Sequence, residues 1–191
     1  MTRERKFSTQ EIFKATNSLL LRYGYEGFTF SLLAESLDVS RAAIYKYYPN
    51  KEELIIDYMV YEMTKMLIDL QKIDQSATFS AQLNELITLI FTYKDIHQIL
   101  GMVHQFKESS SAMIMEKKKQ LEKLHLDMYQ YLEGLMVQGK KEKVLRDTLS
   151  NDVILGCIFQ SIAIPNHRGI PEHEWIQSIK DVVCYGIFEI K

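Results

Sequence analysis

Residues 29–54 read TFSLLAESLDVSRAAIYKYYPNKEEL, and this stretch decides the fold. Phe30, Leu33, Ala34 and Leu37 fall at i, i+3, i+4 and i+7, the spacing of one apolar helical face. Thr29 stands just before that face, where an N-cap hydroxyl belongs. Asp38 follows it, a residue type that tolerates the left-handed conformation of a sharp helix exit. Ser40 is placed to cap a second short helix in which Val39, Ala43 and Ile44 turn inward. Arg41, Ala42, Tyr45 and Lys46 are then left facing out. A short helix presenting small, aromatic and cationic groups is what a DNA major groove accepts.

Working outward from this stretch, the pattern resembles the helix-turn-helix of the TetR (tetracycline-repressor-like) family of bacterial transcription regulators. The similar positions start with Ile12, Ala15, Leu19 and Leu20 in a first helix ending at Tyr23-Gly24. They continue through Gly27-Phe28-Thr29, Leu33-Ala34, Val39-Ser40, Ile44-Tyr45, Tyr47-Tyr48 and Asn50 to Leu54, about a quarter of the chain. Two positions depart from the family pattern. Asp38 stands where a turn glycine is usual, and Ala42-Ala43 replaces a common Gly-Thr pair. Both departures bear on which bases are read.

The expected DNA-facing set is Thr29, Ser31, Ser40, Arg41, Ala42, Tyr45, Lys46, Tyr47 and Lys51. Arg41 has the donor fork for bidentate contact to guanine O6 and N7. Ala42 lets the backbone approach closely. Tyr45 offers a hydroxyl to phosphate, and Lys46 adds charge without sequence information. Lys51, after the Pro49 break, brings an ammonium to the free amides at the start of a fourth helix, a combination suited to phosphate. Ser31 faces DNA by the resemblance. Tyr48 reads as core, whereas Tyr47 fits either core rim or DNA contact. Arg3, Arg5 and Lys6 form a basic arm that fits a minor groove, a phosphate or a frayed terminus equally.

Charge agrees with this division. Residues 1–51 carry eight Lys/Arg against five acids, a balance of +3, while the whole chain of 191 residues carries −2, so the remainder carries −5. A basic head on an acidic body suits a site-specific binder, not a protein that coats nucleic acid. Cys157 and Cys184 lie in apolar helical runs without metal or redox spacing, so both read as reduced core residues. No apolar run approaches the ~20 residues of a membrane span. The charged N-terminus lacks an apolar secretion segment, so the expected location is cytoplasmic and no membrane is implied. No Ser-His-Asp set, phosphate loop or HExxH is present, so the chain is not expected to be an enzyme, and no cofactor is implied.

The rest reads as helix throughout. A fourth helix runs from Pro49-Asn50 to about Leu70, with a break at Asp74-Gln75-Ser76. Helices follow over Phe79–Tyr93, capped by Thr78 or Ser80, and over Asp95–Lys107. A long one opens at Ser109-Ser110-Ser111, carries the charged face Glu116 to Lys123, and ends near Gly139. Lys140 to Arg146 is a polar link, Ser150-Asn151-Asp152 caps a helix over 153–164, Pro165 to Pro171 is a loop, and a last helix covers 172–189. The expectation is therefore an all-α fold of about nine helices. Residues 1–52 form a three-helix DNA-binding head, and 53–191 a helical regulatory and dimerisation domain. The fourth helix would couple the body's contents to the placement of the reading helices.

The last two helices are apolar nearly all round, through Gly156, Phe159, Ile162, Val183, Gly186, Ile187 and Ile190. They fit either a monomer core or the homodimer interface that the resemblance implies. The resemblance also implies a small-molecule effector site among the fifth to eighth helices. Its candidate lining is Tyr93, His97, Leu100, Met102, His104, Phe106, Met128, Tyr129, Leu132, Phe159 and Ile162, equally readable as core. His97, His104 and Glu108 fall short of a metal set, so no metal is expected. The implied function is a ligand-responsive regulator that binds double-stranded operator DNA and represses. The alternative is a DNA-binding protein whose body engages a protein partner.

Overall fold

A computed structural model describes residues 7–102, 106 and 112–187, the side chains of Gly186 and Ile187 excepted. Among the described residues there are nine α-helices and no strand: α1 Thr9–Gly27, α2 Phe30–Ser36, α3 Arg41–Tyr45, α4 Lys51–Leu70, α5 Phe79–Thr92, α6 Lys94–Leu100, α7 Ala112–Lys141, α8 Asn151–Gln160 and α9 Glu172–Ile187. The all-α expectation holds. None of these helices is long and apolar enough to cross a membrane. Two compact units result, one of residues 1–64 with 95–124, the other of 65–94 with 125–191.

In the first unit, α1 starts on a reciprocal capping box. The Glu11 amide donates to Ser8 Oγ at 3.1 Å, and the Ser8 amide donates to Glu11 Oε2 at 2.6 Å. Hydrogen bonding from the Ser8 backbone, and then from its side chain, holds the Glu11 carboxyl below its usual range. Ile12, Phe13, Thr16 and Leu20 are its buried stripe. Phe13 packs against Tyr58 and Tyr61 of α4, at centroid distances of 5.7 and 5.0 Å. Asn17 accepts from the Tyr58 hydroxyl at 2.9 Å and donates to Asp95 Oδ2 at 3.2 Å. Burial, then the carboxylates of Glu62 and Asp95, pushes the Tyr58 hydroxyl pKa up, so it remains a donor. The regular backbone of α1 breaks at Gly24 (φ 67, ψ −179), where the sequence placed the end of the first helix.

In the second unit, Thr78 caps α5 by accepting from the Ala81 amide at 3.4 Å. Phe79, Leu83, Leu86, Ile87 and Ile90 are buried along it. Buried Gln82 is satisfied by donating to Ala77 O at 2.7 Å and to Gln138 Oε1 at 3.0 Å. Gly139 of α7 lies so close to Phe79 that an added Cβ would meet the ring at 2.7 Å.

The helix expected over 95–107 is α-helical over Lys94–Leu100, and its residues 103–105 and 107 lie outside the described residues. One boundary differs from expectation. The helix expected to reach 164 ends at Gln160 and tightens into a 3-10 turn, Ser161–Ala163. The reason is local: Ser161 Oγ donates to Ile158 O at 2.6 Å, and Pro165 forces Ile164 into extended backbone. Ser40 and Ser150 do occupy N-cap positions, but neither side chain makes a capping bond. In addition, Lys117 of the charged run is not only a solvated face, since its ammonium lies 2.8 Å from Asp57 Oδ1 in α4. Arg3, Arg5, Lys6, His104, Glu108, Ser109 to Ser111 and Ile190 lie outside the described residues.

Candidate nucleic-acid interface

Thr29 caps α2 by accepting from the Leu32 amide at 3.3 Å. The exit of α2 makes two bonds at once: Val39 N donates to Ala34 O at 2.9 Å, and Asp38 N to Glu35 O at 3.2 Å. This is a Schellman pair, and it requires the left-handed residue found at Asp38, φ 50. The turn fixes where α3 begins. Ile44, fully buried, anchors the inner side of α3, and buried Tyr48 follows, donating to Asp57 Oδ2 at 2.8 Å.

The outer side carries the expected groups. Thr29, Ser31, Ser40, Arg41, Ala42, Tyr45, Lys46 and Tyr47 are all exposed. Arg41 Nη1 reaches to 3.5 Å of Ser31 Oγ, so the first turns of α2 and α3 present their polar groups together. Tyr45, 53% exposed, is propped edge-on by the Phe30 ring at 5.0 Å. Tyr47, 42% exposed, is met edge-on at 5.6 Å by Phe7, a buried residue that sequence reasoning passed over. Its only signal was an isolated large apolar side chain just before a Ser-x-x-Glu capping box.

Lys51 differs from the others because it is half-buried. Its ammonium donates to Tyr25 O at 2.8 Å and sits 3.9 Å from the Tyr25 ring centroid. The Tyr25 hydroxyl donates to Glu52 Oε1 at 2.5 Å. Asn50 accepts from the Glu53 amide at 2.8 Å, which caps the same first turn of α4.

The described effector candidates are divided between the two units. His97, Leu100, Met102 and Phe106 belong to the first unit, and Tyr93, Met128, Tyr129, Leu132, Phe159 and Ile162 to the second. Phe106 is buried and stacks on Tyr25 at 5.2 Å, so it packs on the head-forming helix α1. Met128, Leu132 and Phe159 do meet, with Met66, Leu70 and Leu86, around a void of about 10 Å³. That is space for about one water, so this part of the set is filled core. Tyr129 stacks on Phe159 at 6.0 Å, and the Tyr93 hydroxyl donates to Asp69. Among the described residues no group of three metal-ligating side chains converges.

Residues 12–58 match the sequence profile of "Bacterial regulatory proteins, tetR family". A tetR-family domain thus occupies residues 12–58 of the chain. The chain is a transcriptional regulator and not an enzyme, as that family and its relatives are. One similar protein is the HTH-type regulator YhgD of Bacillus subtilis, itself uncharacterized, at 22% identity over 71% of this chain and 70% of that one. Solved folds of transcriptional regulators superpose over nearly the whole length. The FadR regulator of Bacillus subtilis, solved with stearoyl-CoA, has a TM-score of 0.68 at 20% identity, over 94% of this chain and 100% of that one. The MbdR regulator of Azoarcus gives 0.73 at 18%, over 95% and 99%. The ketosteroid regulator KstR2 of Mycobacterium tuberculosis gives 0.71 at 16%, over 100% and 98%.

Proposed function

We propose that this chain is a repressor that binds a palindromic operator as a homodimer and is released by a small apolar or amphipathic effector. Residues 1–52 would be the DNA-binding head and 53–191 the regulatory and dimerisation domain. The observation that carries the DNA reading is the shared outer face of Ser31, Arg41, Tyr45 and Lys46, set on a helix whose inner side is anchored by buried Ile44. In the proposed complex Arg41 reads a guanine, Tyr45 and Lys46 hold phosphates, and Lys51 holds a phosphate at the head of α4.

The homodimer reading is supported by apolar side chains left open on α8 and α9: Val153, Cys157, Val182 and Tyr185. Two copies are also what two operator half-sites about 34 Å apart would require. An effector is supported by the acyl-CoA bound to the FadR structure and by the methionines Met66 and Met128, whose flexible side chains can repack around a guest. A guest entering at Leu132 and Phe159 would have to open the present 10 Å³ void.

Selection from random duplex DNA tests the reading. A palindrome should be enriched, and Arg41→Ala should relax preference at one base pair per half-site by roughly 1–3 kcal/mol. A pool with no enriched palindrome would reject it.

A further inference from the structure

We propose that Tyr25 is the positioning residue for the DNA contact of Lys51, and that Phe106, by stacking on Tyr25, holds that ring in place. The proposal rests on the reading of Lys51 as a phosphate contact.

The geometry begins with Gly24. Its φ of 67 with ψ near 180 interrupts the helix one residue before Tyr25, and the next backbone bond, from the Phe28 amide, goes to Gly24 O. The Tyr25 carbonyl is thereby available to another donor, and the Lys51 ammonium takes it at 2.8 Å. The same ammonium sits 3.9 Å from the Tyr25 ring centroid. An ammonium has three donors, so one bond to a carbonyl leaves two for a phosphate oxygen. A lysine stem otherwise free to rotate is held beforehand where phosphate must find it, which removes part of the ordering cost of binding.

Tyr25 grips α4 a second time through its hydroxyl, which donates to Glu52 Oε1 at 2.5 Å. Burial and the Glu52 carboxylate raise the hydroxyl pKa, so it stays protonated and keeps donating. One side chain thus fixes both of the first two residues of α4.

Phe106 completes the arrangement. Its ring is buried, stacked on Tyr25 at 5.2 Å with 26° between planes. Offset aromatic pairs of this kind restrict both rings. Any event that withdraws Phe106 therefore loosens the ring against which Lys51 is held.

The test is a double-mutant cycle read by fluorescence anisotropy on the selected operator, over a salt series, with melting temperatures in parallel. Lys51→Met should weaken binding and flatten the salt slope by about one. Tyr25→Leu should weaken binding roughly three- to tenfold, the scale of a partly desolvated cation–π contact. Phe106→Leu should cost a smaller factor, and Phe106→Trp should restore it. On the Lys51→Met background both Leu substitutions should have no further effect, because they act through Lys51. Full additivity on that background, or unchanged affinity for both Leu variants, would overturn the proposal while leaving the phosphate contact standing. If Lys51→Met itself changes neither affinity nor slope, the reading of Lys51 falls first and this proposal with it. A loss of melting temperature that Phe106→Trp does not repair, with affinity unchanged, also counts against it.

Discussion

Two surfaces of this chain expose large side chains, and they expose different kinds. On α3 the open groups are Arg41, Tyr45 and Lys46, with Ser31 of α2 beside them. On α8 and α9 they are Val153 at 57%, Val182 at 68% and Tyr185 at 83% exposed. The first set keeps a charge or hydroxyl at the tip of nearly every side chain, so it can trade water for phosphates and base edges. The second is mostly hydrocarbon, which gains only by drying against another apolar surface. Exposure alone marks neither surface. The chemistry of the tips separates a groove reader from a face that a second copy could cover.

The largest expected effect follows on the aliphatic side. Val182→Glu places a carboxylate in the proposed self-interface. Charges desolvated without partners cost about 3–5 kcal/mol, so the dimer should dissociate at micromolar protein where the native chain does not. Sedimentation equilibrium reads this directly. If Val182→Glu and Val153→Glu both leave the mass unchanged, the open face of α8 and α9 is ordinary surface and the contrast with α3 collapses.

A smaller loss is expected inside the head. Gly24 holds φ 67 with ψ −179, and nothing lies within 4 Å of where a Cβ would stand. The obstacle to Gly24→Ala is therefore backbone strain alone, worth roughly 1–3 kcal/mol in a region that is essentially glycine-only. Urea unfolding should show that loss, and operator affinity should fall with it, since Tyr25 follows directly. Full stability in the alanine variant would mean that the break in α1 relaxes away at little cost.

The head was readable because its pattern is local. The apolar stripe Phe30–Leu33–Ala34, the Thr29 cap and the left-handed Asp38 act within a dozen residues, and the structure has all three. What escaped notice is tertiary. Tyr25 and Glu52 are 27 positions apart, and Asp57 and Lys117 sixty. No periodicity connects such pairs, and each residue alone reads as an ordinary surface group. Phe106 shows the same limit from the other side. Its apolar character suggested a cavity wall, but character does not say which neighbour it meets, and it meets Tyr25. The Ser-x-x-Glu capping box at Ser8 and Glu11 was legible and needed only attention to the residues before the first apolar stripe.

The smallest effect is a gain, and it sharpens the comparison by separating stability from reading. Asp38 occupies the left-handed position of the α2–α3 turn at φ 50, where the family usually has glycine. A side chain there is disfavoured by contact between Cβ and the following carbonyl, and aspartate only softens this. Asp38→Gly removes the strain but gives the unfolded chain more freedom to lose, a cost of roughly 0.5–1 kcal/mol. The strain relieved is about 1–2 kcal/mol, so the net expectation is a gain of about 0.5–1 kcal/mol in urea unfolding. The substitution also removes a negative charge three residues before Arg41, so affinity for all duplex sequences should rise slightly and more at low salt. Base preference should not move, because Asp38 donates nothing to a base edge. A variant that is less stable than the native chain would mean that the aspartate carboxylate supports the turn. A changed base preference would mean that the turn, and not only the outer face of α3, takes part in reading.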